Sequence, residues 1–105
     1  MPSKQDPIGI EHSEDEGRGQ FFVQREGIQL AEMTYSRAGP ALIIIDHTLV
    51  DEQLRGLGVA RRLLDSLVSW ARATDTRVMA TCPYALAQFA KDPTLADVFD
   101  GDPRA

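Results

Sequence analysis

The sequence predicts an α/β (α+β) domain with a mixed, mostly antiparallel sheet, in which an antiparallel meander feeds one strand–turn–helix–strand unit. Three observations carry this. Residues 20–36 hold two strand-like stretches around a Glu26-Gly27 turn signal, the second alternating apolar and polar side chains, as half-buried hairpin strands do. Residues 41–50 are rich in Ile, Leu and Val, at the length of a strand. After Gly58 the period changes to 3.6. Ala60, Leu63, Leu64, Leu67, Trp70 and Ala71 fall on one stripe, with Arg61, Arg62, Asp65, Ser66, Ser69 and Arg72 on the other, which is an amphipathic helix.

The elements follow in order. Residues 1–7, with Pro2 and Pro7, read as a loose tail. Ile8 to His12 alternates and reads as a first strand. Ser13 to Gly19 is acidic and contains glycine, so it reads as a turn or short loop. Gln20 to Arg25 forms a strand around Phe21-Phe22-Val23, and Ile28 to Ser36 forms the next. Arg37-Ala38-Gly39-Pro40 breaks the pattern. Ala41 to Val50 is expected to be a central strand buried on both faces. Asp51 to Leu54 is polar and leads into Arg55-Gly56-Leu57-Gly58, followed by a helix over roughly residues 57–74. Arg77 to Thr81 is a short strand, and a right-handed crossover sets it parallel to the strand before the helix. Tyr84 to Lys91 reads as a short helix ended by Asp92-Pro93. Thr94 is the expected N-cap of one further turn through Phe99. Residues 100–105 read as a second tail, leaving a single domain over residues 8–99.

Composition narrows the function. The chain has 105 residues, 43% of them apolar, with 11 basic against 16 acidic side chains and a net charge of −5. The length fits one domain and leaves no room for a separate cofactor domain. An acidic chain lacks the basic face of a nucleic-acid binder. One Cys precludes an intrachain disulfide, and one Cys with two His precludes a dense structural zinc site. No stretch approaches the ~20 apolar residues of a membrane span. Met1 to Asp6 carries no apolar signal core. The expected compartment is therefore the cytoplasm, with no nucleic-acid or membrane partner. A monomer and a dimer are equally compatible with the sequence.

The chemistry concentrates at Gln53-Leu54-Arg55-Gly56-Leu57-Gly58-Val59-Ala60. Two glycines lie between a buried strand and a helix. Glycine allows positive φ and close approach of a ligand. The first amides of a helix lack intrahelical acceptors and sit at the positive end of its dipole. Such a unit suits a pyrophosphate, although a lone G-x-G is also an ordinary tight turn. No Gly-Lys-Ser/Thr follows, so it is not a P-loop. Arg61 stands where the dinucleotide motif has its third glycine.

Gln53-x-x-Gly56-x-Gly58 resembles the Q/R-x-x-G-x-G/A signature of the GNAT N-acetyltransferases. Asp46-His47-Thr48-x-Val50, Leu54-Arg55-Gly56-x-Gly58-x-Ala60-x-x-Leu63 and Cys82-Pro83-Tyr84 look like the short, stand-alone GNAT-like domains of about this size. The resemblance implies a reduced GNAT fold with flanking helices and a central parallel pair that splays to admit the pantetheine arm of acetyl-CoA. It implies CoA or acetyl-CoA as cosubstrate and no metal. Carried onto this chain, the pyrophosphate cradle is Leu54, Arg55, Gly56, Leu57, Gly58 and Val59, with Ala60 packing at the helix start. Leu49 and Val50 would offer backbone groups to pantetheine, and Arg55 and Arg61 would approach phosphates. For Arg61 and Arg62 the other reading is a solvated face with Asp65 as an ion-pair partner. One departure stands out. GNAT domains usually carry two helices between their first two strands, and here only Ser13 to Gly19 separates them. The CoA half looks complete and the acceptor half reduced.

Three side chains are candidates for catalysis. Cys82 follows the second parallel strand, at the same end of the sheet as the glycine turn. It is either an acetyl-accepting thiol or a small apolar lining group. His47 is either a general base or a histidine bonded to backbone. Tyr84 is either a proton donor to the leaving thiolate or a packing residue. His12 reads as a surface residue, and Trp70 as core. The expected activity is acetyl transfer to an unidentified small amine or a protein or peptide amine. The alternatives are an acyl-CoA-binding module without turnover and a protein-interaction domain.

Overall fold

Two tight turns organise the first half of the chain. Glu16 and Gly17 have φ of 52° and 82°, and Glu26 and Gly27 have φ of 53° and 82°. Two successive residues at positive φ make the two-residue hairpin turn whose twist matches that of its strands. In the computed structural model, which describes residues 8–105, these turns connect β1 (Glu11–Asp15) to β2 (Arg18–Arg25) and β2 to β3 (Ile28–Gly39). The tail read at residues 1–7 lies outside the described residues.

The first strand therefore starts later than the expected Ile8–His12. Ile8 and Ile10 alternate because Ile8 is buried and Ile10 packs against the core, ahead of the first strand. The acidic stretch Ser13 to Gly19, expected as a loop, is strand, turn and strand. β3 also runs on through Arg37-Ala38-Gly39, expected as a break, with a register irregularity there.

β4 (Leu42–Val50) completes the meander. A 3-10 turn (Glu52–Leu54), α1 (Val59–Ala73), β5 (Arg77–Ala80), α2 (Pro83–Lys91), a 3-10 segment (Pro93–Val98) and β6 (Phe99–Gly101) follow. The six strands lie in chain order, with β1 to β4 antiparallel and β4–β5 and β5–β6 parallel. Asp92, not Thr94, caps the last 3-10 segment, its carboxylate accepting from the Thr94 amide. Residues 100–105, read as a tail, begin inside β6. Arg104 then donates to the Thr81 carbonyl at 3.2 Å. Three residues are too few to show a periodicity, so this strand has no sequence signature.

α1 covers one face of the sheet. It buries Val59, Leu63, Leu64, Leu67, Val68 and Ala71 in a core shared with Phe21, Val23, Met33, Tyr35, Ile43, Ile45 and Val78. Each fully buried Leu or Val is worth about 1.5–3 kcal/mol. Along β4 burial alternates: Ile43 and Ile45 are buried, Ile44 is half-buried, and His47 and Leu49 are exposed. The expectation of a strand buried on both faces fails. A two-residue turn joins β1 to β2, so no helix is inserted there to cover the second face.

His12 belongs to a mixed cluster rather than standing as a plain surface residue. Its ring stacks on Phe21 with centroids 4.0 Å apart and meets the edge of Trp70 at 4.9 Å. Its Nε2 lies 2.7 Å from the hydroxyl of Tyr35, which donates to Glu14 at 2.9 Å. Arg37 pairs with Glu14 and lies over Trp70.

Candidate active site

The site is created where β4 and β5 part. Their parallel ladder runs from Leu42 and Arg77 to Ile45 and Ala80. The Ile45 carbonyl then accepts from both the Thr81 and Cys82 amides, at 2.9 and 3.2 Å, and the chain turns into α2. On the β3 side, Tyr35 pairs with Ile45 and Thr34 with His47, so Asp46 is the extra residue of a β-bulge. Beyond it β4 continues to Val50 with β3 on one side and a gap on the other. The Asp51 amide donates to the Leu30 carbonyl. Counting back by the antiparallel alternation, Leu49 and His47 turn their backbone groups to β3. Thr48 and Val50 turn theirs to the gap. Thr48 thus takes the place expected of Leu49, and Leu49 presents an exposed side chain instead.

The glycine turn stands at the mouth of this gap. Gly56 has φ of 85° and Gly58 of 69°, and a β-carbon on either would meet nothing within 4 Å. Gly58 occupies the N-cap of α1 in the left-handed region with no side-chain cap. The first intrahelical bond runs from the Arg62 amide to the Gly58 carbonyl, at 3.1 Å. The Val59, Ala60 and Arg61 amides therefore point out of the helix start. No acidic residue lies in this first turn, although acids are favoured there. The positive end of the helix is left for an external anion. A cleft of about 310 Å³ is lined by Val50, Leu54, Arg55, Gly56, Gly58, Val59, Ala60, Arg61 and Tyr84. It gathers eight of the ten residues expected to bind the cofactor. Leu57 is exposed on the turn, and Leu49 lines a second cleft with Gln29, Glu32, Val50 and Asp51. Val50 is common to both.

The two arginines at the cleft differ. Arg61 is engaged by Asp65 at 2.8 Å, by Gln88 at 3.0 Å and by Asp92. These hydrogen bonds tie α1 to α2 and raise its pKa, chiefly through Asp65. Asp92 is held at about 2, mainly by the Thr94 hydroxyl and Arg61. Arg55 lines the same cleft and is exposed. Burial raises the pKa of Tyr84.

The three catalytic candidates separate onto two sides of β4. Cys82 is 2% exposed, and its Sγ lies 3.3 Å from the Thr48 hydroxyl. Tyr84 stands two residues further on, in the cleft wall. His47 does not hydrogen-bond to Cys82. Its Nε2 lies 2.9 Å from Glu32 Oε2, on the face away from α1. Thr48 and Glu32 were not evident as site residues from sequence. Thr48 is marked only by its neighbours in the His-Thr pair. Glu32 reaches His47 through strand register, across 15 residues of chain.

A parallel pair that parts beside an uncapped helix start is the arrangement of acetyltransferase-type domains. The model of the GCN5-related N-acetyl-transferase family matches residues 20–98, and the chain belongs to that family. Among its relatives, Protein NATD1 of Bos taurus is 32% identical over 95 residues, covering 90% of this chain and 81% of its own. Protein NATD1 of Homo sapiens is 30% identical, over 83% of this chain and 76% of its own. A GCN5-like protein from Staphylococcus aureus, solved by NMR, superposes with a TM-score of 0.67 at 34% identity, over 87% of this chain and 88% of that one. A ribosomal-protein-alanine N-acetyltransferase from Brucella melitensis shares the fold, with a TM-score of 0.56 at 20% identity, over 66% of this chain and 53% of that one.

Proposed function

We propose that the protein is an acetyl-CoA-dependent N-acetyltransferase of reduced form, acting on an amine that approaches across the uncovered face of the sheet. The observation that carries this reading is the meeting of two features at Val50. One is the unpaired β4 edge from Thr48 to Val50. The other is the cleft under Gly56 and Gly58, at the uncapped start of α1. The residues suit CoA. The outward amides of Val59 to Arg61, with Arg55, favour the pyrophosphate. The backbone groups of Thr48 and Val50 suit the amides of pantetheine.

When bound, acetyl-CoA supplies a thioester carbonyl open to attack by an amine. This chain's residues would hold that thioester in the gap, with Cys82 and Thr48 on one side of β4 and His47 on the other. Among the described residues Cys82 has Thr48 as its side-chain partner and no base within hydrogen-bond reach. Direct attack by the amine is therefore favoured over a covalent relay through the thiol. Tyr84, in the wall of the cleft, is the candidate donor to the leaving thiolate. Arg61, engaged by Asp65 and Asp92, holds the cleft wall in shape while Arg55 meets phosphate.

Isothermal titration with CoA is the first test. One-to-one binding that Gly56→Glu abolishes supports the reading, and no binding overturns it. Acetyl-CoA with a panel of amines, followed by CoA release and by intact mass, tests transfer. An acetyl adduct on the protein that Cys82→Ala removes would reinstate the relay. CoA binding without transfer to any amine would leave an acyl-CoA-binding module. The short connection between β1 and β2, which leaves one sheet face without a covering helix among the described residues, is the observation on that side.

A further inference from the structure

Resting on the transferase reading, we propose that the acceptor is a primary alkylammonium on a short aliphatic chain, with no carboxylate on the carbon that bears the nitrogen. It is held in the cleft between the start of β3 and the end of β4, where Leu49 and Glu32 are its specificity-determining residues.

The cleft measures about 180 Å³ and is lined by Gln29, Leu30, Ala31, Glu32, Leu49, Val50 and Asp51. At the roughly 30 Å³ that a water takes in the liquid, it holds a chain of about six non-hydrogen atoms. Leu30 and Ala31 are buried, while Leu49 is 58% exposed, an apolar side chain left in contact with water. Small-molecule sites have this make-up, an apolar lining with a few polar groups that fix orientation.

Those polar groups are neutral or acidic. Glu32 accepts from Gln29 Nε2 at 2.6 Å through Oε1, and its Oε2 lies 2.9 Å from His47 Nε2. A carboxylate has about four acceptor positions, so Glu32 keeps two. Asp51 uses Oδ1 to accept from the Gln53 amide at 2.8 Å. Among the described residues no basic side chain lines the cleft. Arg25 follows Gln24, whose amide bonds Glu11 on the Glu32 face, so the Arg25 side chain leaves on the other face. Arg18 is paired with Asp46 at 3.9 Å. It precedes Phe22, the partner of Glu32, by four residues of β2.

Lining and charge together select the acceptor. The methylene chain lies on Leu49 and Leu30, as the stem of a lysine lies on apolar surface. The ammonium takes the remaining acceptor positions of Glu32. A carboxylate on the amine-bearing carbon would face Glu32 and Asp51 with no cation to meet it, and like charges across a contact are disfavoured. Val50 belongs both to this cleft and to the glycine-turn cleft. The amine is therefore one strand spacing, about 4.8 Å, from the edge where the thioester would lie. Its nitrogen attacks the thioester carbon, the C–N bond forms and the C–S bond breaks. Of the two protons the ammonium loses, one ends on the CoA thiolate and one in solvent, which leaves the amide and CoA thiol.

The test uses the full chain with acetyl-CoA and two matched acceptors, n-pentylamine and norleucine, which differ by one carboxylate on the amine-bearing carbon. The kcat/KM for n-pentylamine should exceed that for norleucine at least about tenfold. Glu32→Gln should cut this preference to within about threefold, with KM for acetyl-CoA within about twofold. Leu49→Ser should flatten the rise in kcat/KM from ethylamine to n-pentylamine. A lysine peptide with blocked termini separates the two sources of this chemistry. Preference for it over n-pentylamine assigns a protein side chain, and the reverse assigns a free amine. In the CoA-loaded protein n-pentylamine should shift the Leu49 methyl resonances. Equal use of norleucine, a preference that survives in Glu32→Gln, or unmoved Leu49 methyls, with transfer to some amine intact, overturns this assignment and leaves the transferase reading standing. No transfer to any amine by the wild type, with CoA bound, overturns the transferase reading itself and this assignment with it.

Discussion

The ring of Tyr35 fills the space that a β-carbon on Gly19 would occupy. Such an atom would lie 2.3 Å from Tyr35 Cζ and 2.5 Å from its hydroxyl oxygen. Gly19 pairs directly with Tyr35 across β2 and β3, and Tyr35 is fully buried. The ring is pinned on several sides by Phe21, His12 and Trp70, so it has no room to retreat. Gly19→Ala should cost about 1–3 kcal/mol through overpacking, read as a lower urea midpoint at unchanged slope. Gly9→Ala, whose added carbon meets nothing within 4 Å, serves as the control.

The same cluster sets an acid sensitivity. The Arg37 hydrogen bond, above all, holds the Glu14 carboxyl at about 2, below its ordinary 4.5. Its contribution is present above pH 4.5 and is lost as pH falls toward 2. Burial, against the opposing pull of Glu14, lowers His12 from 6.5. The unfolded chain therefore takes up that proton first, and stability drains away as pH falls below 6.5. Both effects have the same sign. The melting temperature should decline on acidification from about pH 6.5 and more steeply below 4.5. Glu14→Gln should cost about 1 kcal/mol at neutral pH, since the pair still meets water, and should flatten the lower part of the curve. Burial and Glu14 raise the Tyr35 pKa, so stability should also fall above pH 10, where the unfolded chain ionises first.

Cys82 is almost fully buried, and buried thiols are slow to react. Alkylation by iodoacetamide should be at least about tenfold slower in the native protein than in urea. Added CoA should slow it further if pantetheine occupies the gap beside Thr48. Alkylation at the unfolded rate would show that the thiol faces solvent.

Arg55 and Arg61 should behave differently although both line the glycine-turn cleft. Among the described residues Arg55 has no ion-pair partner, so Arg55→Ala should weaken CoA binding by roughly fivefold, about 1 kcal/mol, with little change in melting temperature. The effect should shrink as salt screens it. Arg61→Ala removes the links to Asp65, Gln88 and Asp92. It should show mainly as a lower melting temperature and faster amide exchange in α2.

The strand–turn–helix–strand unit was legible because its periods are long and its glycines sit at a sharp change of pattern. α1 falls within two residues of its expected ends. What stayed hidden depends on register or on brevity. The Glu16-Gly17 turn was masked by the acidic residues around it. β6 pairs through too few residues to leave a pattern. Ala41 to Val50 looks buried on both faces because Ile44 is apolar on the side where His47 and Leu49 meet solvent. The pairing of His47 with Glu32, and of Cys82 with Thr48, joins residues 15 and 34 positions apart. Local composition says nothing at that range, and no spacing rule could have found either pair.

The branch at Ile45 has a consequence for how the protein can be altered. The divergence of β4 and β5 rests on one carbonyl oxygen shared by two amides, and an oxygen of the main chain belongs to every amino acid. Side-chain replacement at Ile45, Thr81 or Cys82 can loosen packing there, but it leaves the fork drawn. Chemical synthesis can reach it. An ester in place of the Thr81 or Cys82 amide deletes one of the two donors. It should widen the fork in a measurable way while every side chain stays native.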